Sequence, residues 1–295
     1  MADDSSPLRT RVAYLFVLPT VITLVLIALY PTLFAIDASL RNWILYRPEL
    51  GTQYIGLDNY ITIFLSEEFW NALRVTLMFT TLSTGLTLLI GLAEALVINE
   101  IPKGKGIVSS VVILPLMISP VVVAFGWRFM YHEATGLITA YLLPLVGVNV
   151  RTILGDPNWA ILGVIAADVW NQTPLVFLIL LAGLTSLPQE PFEAARVDGA
   201  SAIQIFQHLT LPMLRSVILI ALILRTIDSF KVFDLVWVMT SGGPGTATMN
   251  LVITGYEKAF IAYRMGAASA YGIVILYAIM ALALFYIKLL VGRRK

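Results

Sequence analysis

Residues 193–212 read EAARVDGASAIQIFQHLTLP, a polar, turn-rich stretch between two long apolar runs. Pro191 suits the first turn of a helix, where a missing N–H leaves no acceptor unpaired. Residues 193–198 then read as a short helix, and Gly199 stands where a left-handed residue past a helix end is wanted. Ser201 is a good cap for a second short helix running to about Gln207, with Pro212 expected to end it. Ala194 and Ala195 strip bulk from one side, so another protein's surface can approach closely. From the residues alone two readings stand, a docking knob and an ordinary interhelical loop.

The surrounding composition says where this stretch sits. Hydrophobic residues make up 59% of the chain, charged residues only 13%, and the mean hydropathy is +0.87. Soluble domains carry about 25% charged residues, so this is an all-α integral membrane protein. A net charge of +1 gives no argument for nucleic acid. With no cysteine there is no disulfide, iron–sulfur or thiolate chemistry, and His132 and His208 are too few for a histidine-based metal site.

Apolar runs long enough to cross hydrocarbon, about 20 residues, fall at about 12–36, 72–98, 107–131, 159–184, 216–240 and 269–291. They leave an N-terminal tail (1–11), a basic C-terminal tail (292–295) and the polar 185–215 loop. The first run is longer than a secretory signal core and lacks a convincing small-residue cleavage site, so it reads as an uncleaved anchor. Residues 37–71 form a polar loop with interfacial aromatics such as Trp43, Tyr54 and Trp70. Pro115 and Pro120 lie inside the third span, where a packing kink is the favoured reading over a gate. Six spans put both termini on one side. That side holds Arg9, Arg11, Lys103, Lys105, Arg196, Arg215, Lys288, Arg293, Arg294 and Lys295, so both termini and the 193–212 stretch are expected in the cytoplasm.

Ionisable groups at membrane depth mark interiors and solute paths. Arg225, Asp228, Lys231 and Asp234 recur every three residues along the fifth span, as a charge ladder between helices or the lining of a hydrophilic path. Asp168, Trp170, Asn171 and Gln172 cluster on the fourth span before Pro174. Amides, carboxylates and flat rings are what recognise sugar hydroxyls and C–H faces, and interhelical hydrogen bonding is the plainer alternative. Arg128 and Glu94, each near a span end, are expected to snorkel toward the interface.

The spacing in 193–212 resembles the EAA loop of ABC-importer permeases: Glu193-Ala194-Ala195, three residues, Gly199, nine residues, then Leu209-x-Leu211-Pro212. Leu209 stands where that family usually has Ile. Ala182-Gly183-Leu184, Leu187-Pro188, Asp198-Gly199-Ala200, Ile55 to Tyr60, Trp127-Arg128 and Phe230 to Asp234 leading into Thr240-Ser241-Gly242-Gly243-Pro244 extend the likeness over about 12–291. They point to the maltose-type, carbohydrate uptake transporter-1 branch. The resemblance implies a type I ABC importer permease fold with six transmembrane helices in the cytoplasmic (inner) membrane of a prokaryote. It implies ATPase coupling through Glu193, Ala194, Ala195, Asp198, Gly199, Leu209, Leu211 and Pro212. It also implies a second homologous permease in a heterodimer, two cytoplasmic ABC ATPase subunits, an extracytoplasmic solute-binding protein, and a sugar or sugar-like solute.

No G-x-x-x-x-G-K-[ST], H-E-x-x-H or G-x-S-x-G occurs in the sequence. The chain is therefore expected to carry no catalysis and no cofactor of its own, with ATP and Mg held by the partner ATPase. The charges along the path are nearly balanced, which favours a neutral sugar. An importer for another solute, such as a phosphorylated polyol or an amino acid, and an ATP-independent secondary transporter are the rival readings.

Overall fold

A computed structural model describes residues 7–47, 49, 51–145, 147–148, 150 and 152–291. The chain divides into two compact units, Met1–Ser66 with Gly255–Val274, and Glu67–Thr254 with Ile275–Lys295.

In the first unit, helix α1 (Pro7–Leu24) passes through a π turn (Val25–Leu29) into α2 (Tyr30–Ser39). The helix begins inside the expected N-terminal tail, whose first six residues lie outside the described ones. Its interior hydroxyls are satisfied locally, Thr23 Oγ1 on Pro19 O at 2.8 Å and Thr32 Oγ1 on Ala28 O at 2.7 Å. The expected 37–71 loop is more ordered than its composition suggests. Strands β1 (Arg41–Trp43) and β2 (Thr52–Tyr54) pair antiparallel, and α3 (Asp58–Leu65) follows. Asn59 Nδ2 donates to Ser39 O at 2.8 Å and Arg41 O at 3.0 Å, while the Tyr60 and Ser39 hydroxyls lie 2.6 Å apart. The Ile55–Tyr60 motif thus ties the end of α2 to the hairpin. Leu45 N donates to Tyr263 O at 2.9 Å, which fastens residues 255–274 to the same unit.

The second unit is a helical bundle. Its helices are α4 (Glu67–Asn99), α5 (Lys105–Ile113), α6 (Pro120–Met130), the one-turn α7 (Leu143–Leu145) and α8 (Pro157–Thr185). The short α9 (Glu190–Val197) and α10 (Ala202–Ile205) follow, then α11 (Leu211–Phe230) and α12 (Asp234–Thr240); α13 (Leu251–Tyr256) belongs to this unit up to Thr254, and α14 (Met265–Val291) from Ile275 onward. Among the described residues five helices are long and apolar enough to span a membrane, and a bent pair makes a sixth.

Two spans differ from their sequence reading. Between Lys105–Met117 and Pro120–Met130 the axis turns by 91°, far more than a packing kink, where Pro115 and Pro120 each remove an N–H donor from the helix. Asn171 Nδ2 reaches across from α8 to the Pro115 carbonyl at 2.8 Å. The fifth span does not run to residue 240: α11 stops at Phe230 and the chain restarts as α12 at Asp234. The expected 292–295 tail lies outside the described residues.

Two apolar clusters hold the bundle. One contains Phe79, Val123, Val164, Ala167, Leu235, Val236 and Ile253, and the other Ala95, Val176, Phe177, Leu180, Leu184, Leu214 and Ala221. Small residues let the helices close up. A Cβ on Gly91 would lie 3.1 Å from the Phe177 backbone nitrogen, and one on Gly183 2.8 Å from Leu214 and Val217 side chains. At the start of α8, Asp156 Oδ1 accepts from Asn158 N at 2.8 Å and Pro157 takes the first position, two features that begin helices.

Candidate functional site

The 193–212 stretch is an exposed two-helix loop. Helix α9 starts with Pro191 in its first turn and ends in a left-handed Gly199 (φ 77°), with Gly199 N on Arg196 O at 3.1 Å and Ala200 N on Ala195 O at 2.9 Å. That crossed pair satisfies the last carbonyls of α9 and turns the chain. Ser201 and Gln204 form a reciprocal cap at the start of α10, with Ser201 N on Gln204 Oε1 at 2.8 Å.

The expected stop before Pro212 does not occur. A π turn (Phe206–Thr210) joins α10 to α11, and Ala202–Phe230 is one helix of 29 residues. Leu211 N reaches back to Phe206 O across the wider turn, which makes room for the Pro212 ring without a break.

Glu193, Ala194, Asp198, Gly199, Leu211 and Pro212 are exposed, and Ala195 and Leu209 half-buried. Val197 and Ile203 are bare apolar side chains, 87% and 68% exposed. A cleft of about 460 Å³ opens between the two short helices, lined by Ala195, Asp198, Gly199, Gln204, His208 and Leu209. Nothing lies within 4 Å of where a Cβ on Gly199 would stand. The geometry is a rigid, convex knob with an apolar tip.

The intramembrane polar residues meet in a cavity of about 210 Å³. Asp168, Asn171, Gln172, Asp228, Lys231 and Asp234 line it, together with Pro120 at the start of α6 and residues 232, 233 and 235. Six of the eight path residues read from the sequence are thus brought together. The break after α11 makes this wall: on a continuous helix Lys231 and Asp234 would extend the ladder, whereas here they stand on either side of an irregular turn. Buried Asn250 holds that turn, donating from Nδ2 to Val232 O at 2.8 Å while its Oδ1 accepts from Ile253 N at 2.8 Å.

Arg225 lies behind the cavity rather than on it. It is 0% exposed and pairs with the Asp168 carboxylate, and Ser83 Oγ contacts both, 2.6 Å from Arg225 Nη2. Its Nη1 lies 3.5 Å from Asp228 Oδ2, so Asp228 links the buried pair to the cavity wall. Thr84 and Ser229 hydroxyls, 3.0 Å apart, extend the set between α4 and α11. Asp168 and Arg225 pin α8 to α11 through a charge pair whose removal on one side alone leaves an uncompensated ion. Asn171, bonded to Pro115 O, fills the plainer interhelical role.

Sequence reading missed Ser83, Thr84 and Asn250. A readable signal existed for the first two: Thr76, Thr80, Ser83, Thr84 and Thr87 recur at helical spacing and all are buried on one face of α4.

Trp170 and Glu94 stand elsewhere. Trp170 turns away from the polar cavity, its ring 6.0 Å from that of Trp127, and joins Glu94 on a second, mostly apolar cavity of about 580 Å³. Glu94 is half-buried, and its Oε2 is shut off from solvent with no hydrogen-bond partner. Arg128 donates to Val238 O at 3.1 Å instead of reaching solely for an interface.

A polytopic helical bundle with an exposed, capped two-helix loop and a small polar cavity at a broken helix defines a membrane transport component. Residues 87–295 match the model of the binding-protein-dependent transport system inner membrane component family, and the chain belongs to that family. It is 36% identical to the trehalose/maltose transport system permease protein MalF of Thermococcus litoralis, over 97% of this chain and 95% of that protein. It is likewise 36% identical to the trehalose transport system permease protein SugA of Mycobacterium tuberculosis, over 95% and 88% of the two chains. In structure it resembles a chain of a bacterial alginate ABC transporter solved with an alginate pentasaccharide-bound periplasmic protein. There the TM-score is 0.79 at 26% identity, covering 94% of this chain and 93% of that one. The chain is an inner-membrane permease of an ABC importer.

Proposed function

We propose that the chain moves a sugar through the polar cavity, driven by an ATPase that grips the 193–212 loop. The observation that carries this reading is the loop itself. Its motif residues form a capped knob with nothing packed over Gly199, as a surface reserved for another protein requires. The relatives named for trehalose and maltose and the alginate transporter favour a carbohydrate, and the cavity's carboxylates and amides suit hydroxyl groups. The chain has no catalytic role of its own: ATP and Mg belong to two cytoplasmic ATPase subunits. A second, homologous permease completes a heterodimer, and an external binding protein delivers the solute. Both termini and the loop face the cytoplasm, in accord with the basic residues on that side. Closure of the ATPase dimer draws the loops together and rocks the helices between inward- and outward-facing states, a bistable change biased by nucleotide.

The test is gentle detergent extraction of the tagged chain from its native membrane, with co-purifying proteins identified by mass spectrometry. A P-loop ATPase and a second six-span permease are the expected companions. Recovery of the chain alone, with solute uptake intact after reconstitution, overturns the reading.

A further inference from the structure

The second cavity makes a demand that the chain does not meet. Its walls are Ile90, Val111, Pro115, Leu162 and Trp170, and Glu94 projects among them. Glu94 sits five residues before the end of α4, about 7 Å along the helix axis. Its side chain is half-buried, and one carboxylate oxygen, Oε2, is shut off from solvent without a hydrogen-bond partner. Leaving an ionised carboxylate unpaired in apolar surroundings is costly. The one basic side chain seen bonded at this end of α4, Lys105, is committed to Asn99 Oδ1 at 2.8 Å. The apolar walls are open as well: Ile90, Val111, Leu162 and Trp170 are between 41% and 61% exposed.

We propose that this cavity is a docking site for a helix of the second permease subunit, which places one Lys or Arg side chain against Glu94. A lipid acyl chain would cover the walls and leave the carboxylate unpaired. A helix carrying one cation satisfies both, because its apolar residues fill the cavity while the cation neutralises Glu94. The inference rests on the reading that the chain works beside a second permease, and it adds the contact that selects that partner. An interfacial ion pair between helices fixes register and partner choice.

The experiment compares wild type, Glu94→Gln, Glu94→Leu and Glu94→Lys in the complex purified from native membranes through a tag on this chain. The readout is the amount of second permease retained per chain. Circular dichroism of each purified variant reports whether the bundle is intact. Glu94→Leu and Glu94→Lys are expected to retain less than about a tenth of the wild-type amount, since each strands a buried cation on the partner. Glu94→Gln is expected to fall between. Because the chain has no cysteine, Glu94→Cys places a single thiol for disulfide scanning along the partner and locates the facing residue. Replacing that Lys or Arg by Leu should restore assembly with Glu94→Leu. Full retention of the partner by Glu94→Leu overturns the proposal, as does a facing residue without a positive charge. A wild-type chain that retains no second permease overturns the transport reading beneath it as well.

Discussion

The 193–212 loop and the polar cavity are built in opposite ways. The loop is assembled from 20 consecutive residues, caps itself with its own Gly199, Ser201 and Gln204, and leaves its motif side chains largely in the open. The cavity takes Pro120, Asp168, Asn171, Gln172, Asp228 and residues 231–235 from separate helices, with a fully buried Arg225 behind it. An exposed loop is shaped by local rules, whereas a polar hollow at membrane depth requires helices that hold one another in place. Substitutions in the two regions should therefore differ: those around the cavity act first on stability, those on the loop first on coupling.

The strongest test removes one member of the buried pair. Arg225→Leu or Asp168→Leu alone should cost about 3–5 kcal/mol, read as a loss of thermal stability of the purified complex in detergent. The paired change Asp168→Leu with Arg225→Met should recover most of it. If the double variant is no better than the singles, the charge pair is not what joins α8 to α11. Next comes Gly183→Val, whose added atoms meet Leu214 and Val217. Overpacking there should cost about 1–3 kcal/mol, and Gly183→Ala should cost less in the same assay. Asn250→Ala removes a helix cap and the clamp on Val232 O, so about 1–2 kcal/mol is expected. Its apparent KM for uptake should also rise, because Lys231 and Asp234 lose their fixed turn.

On the loop the effect on stability is no larger. A Cβ at position 199 meets no neighbouring atom, so Gly199→Arg bears chiefly the left-handed backbone penalty of about 1–2 kcal/mol. In reconstituted vesicles the complex carrying this variant should nevertheless hydrolyse ATP, through its ATPase subunits, without accumulating solute. Normal coupled uptake by Gly199→Arg would remove the loop from the coupling path and leave the comparison without one of its terms.

The contrast also explains what could be read from the chain. The loop was legible residue by residue, since Pro191, Gly199 and the Ser201–Gln204 cap act through local geometry. Its one misreading, a stop before Pro212, arose because a π turn admits the proline. The ladder every three residues picked out Asp228, Lys231 and Asp234, which line the polar cavity, but the broken helix was hidden. Residues 230–234 contain neither Pro nor Gly, and the turn is held by Asn250, 18 positions away from its acceptor. The cavity beside Glu94 was hidden for a related reason: nearness to a helix end does not say what the neighbouring helices place around the side chain. The bend at 117–120 was signalled by two prolines, though nothing local gave its size or the hydrogen bond that Asn171 donates to Pro115 O.

The 29-residue helix that absorbs Pro212 has a mechanical consequence. At about 1.5 Å per residue it is roughly 43 Å long, with the knob at one end and the turn bearing Lys231 at the other. Had the chain stopped before Pro212, a push on residues 193–199 would have been absorbed by a flexible joint. Because it does not, the helix is a lever: a tilt of a few degrees imposed at the knob arrives at the cavity wall as a displacement of ångströms.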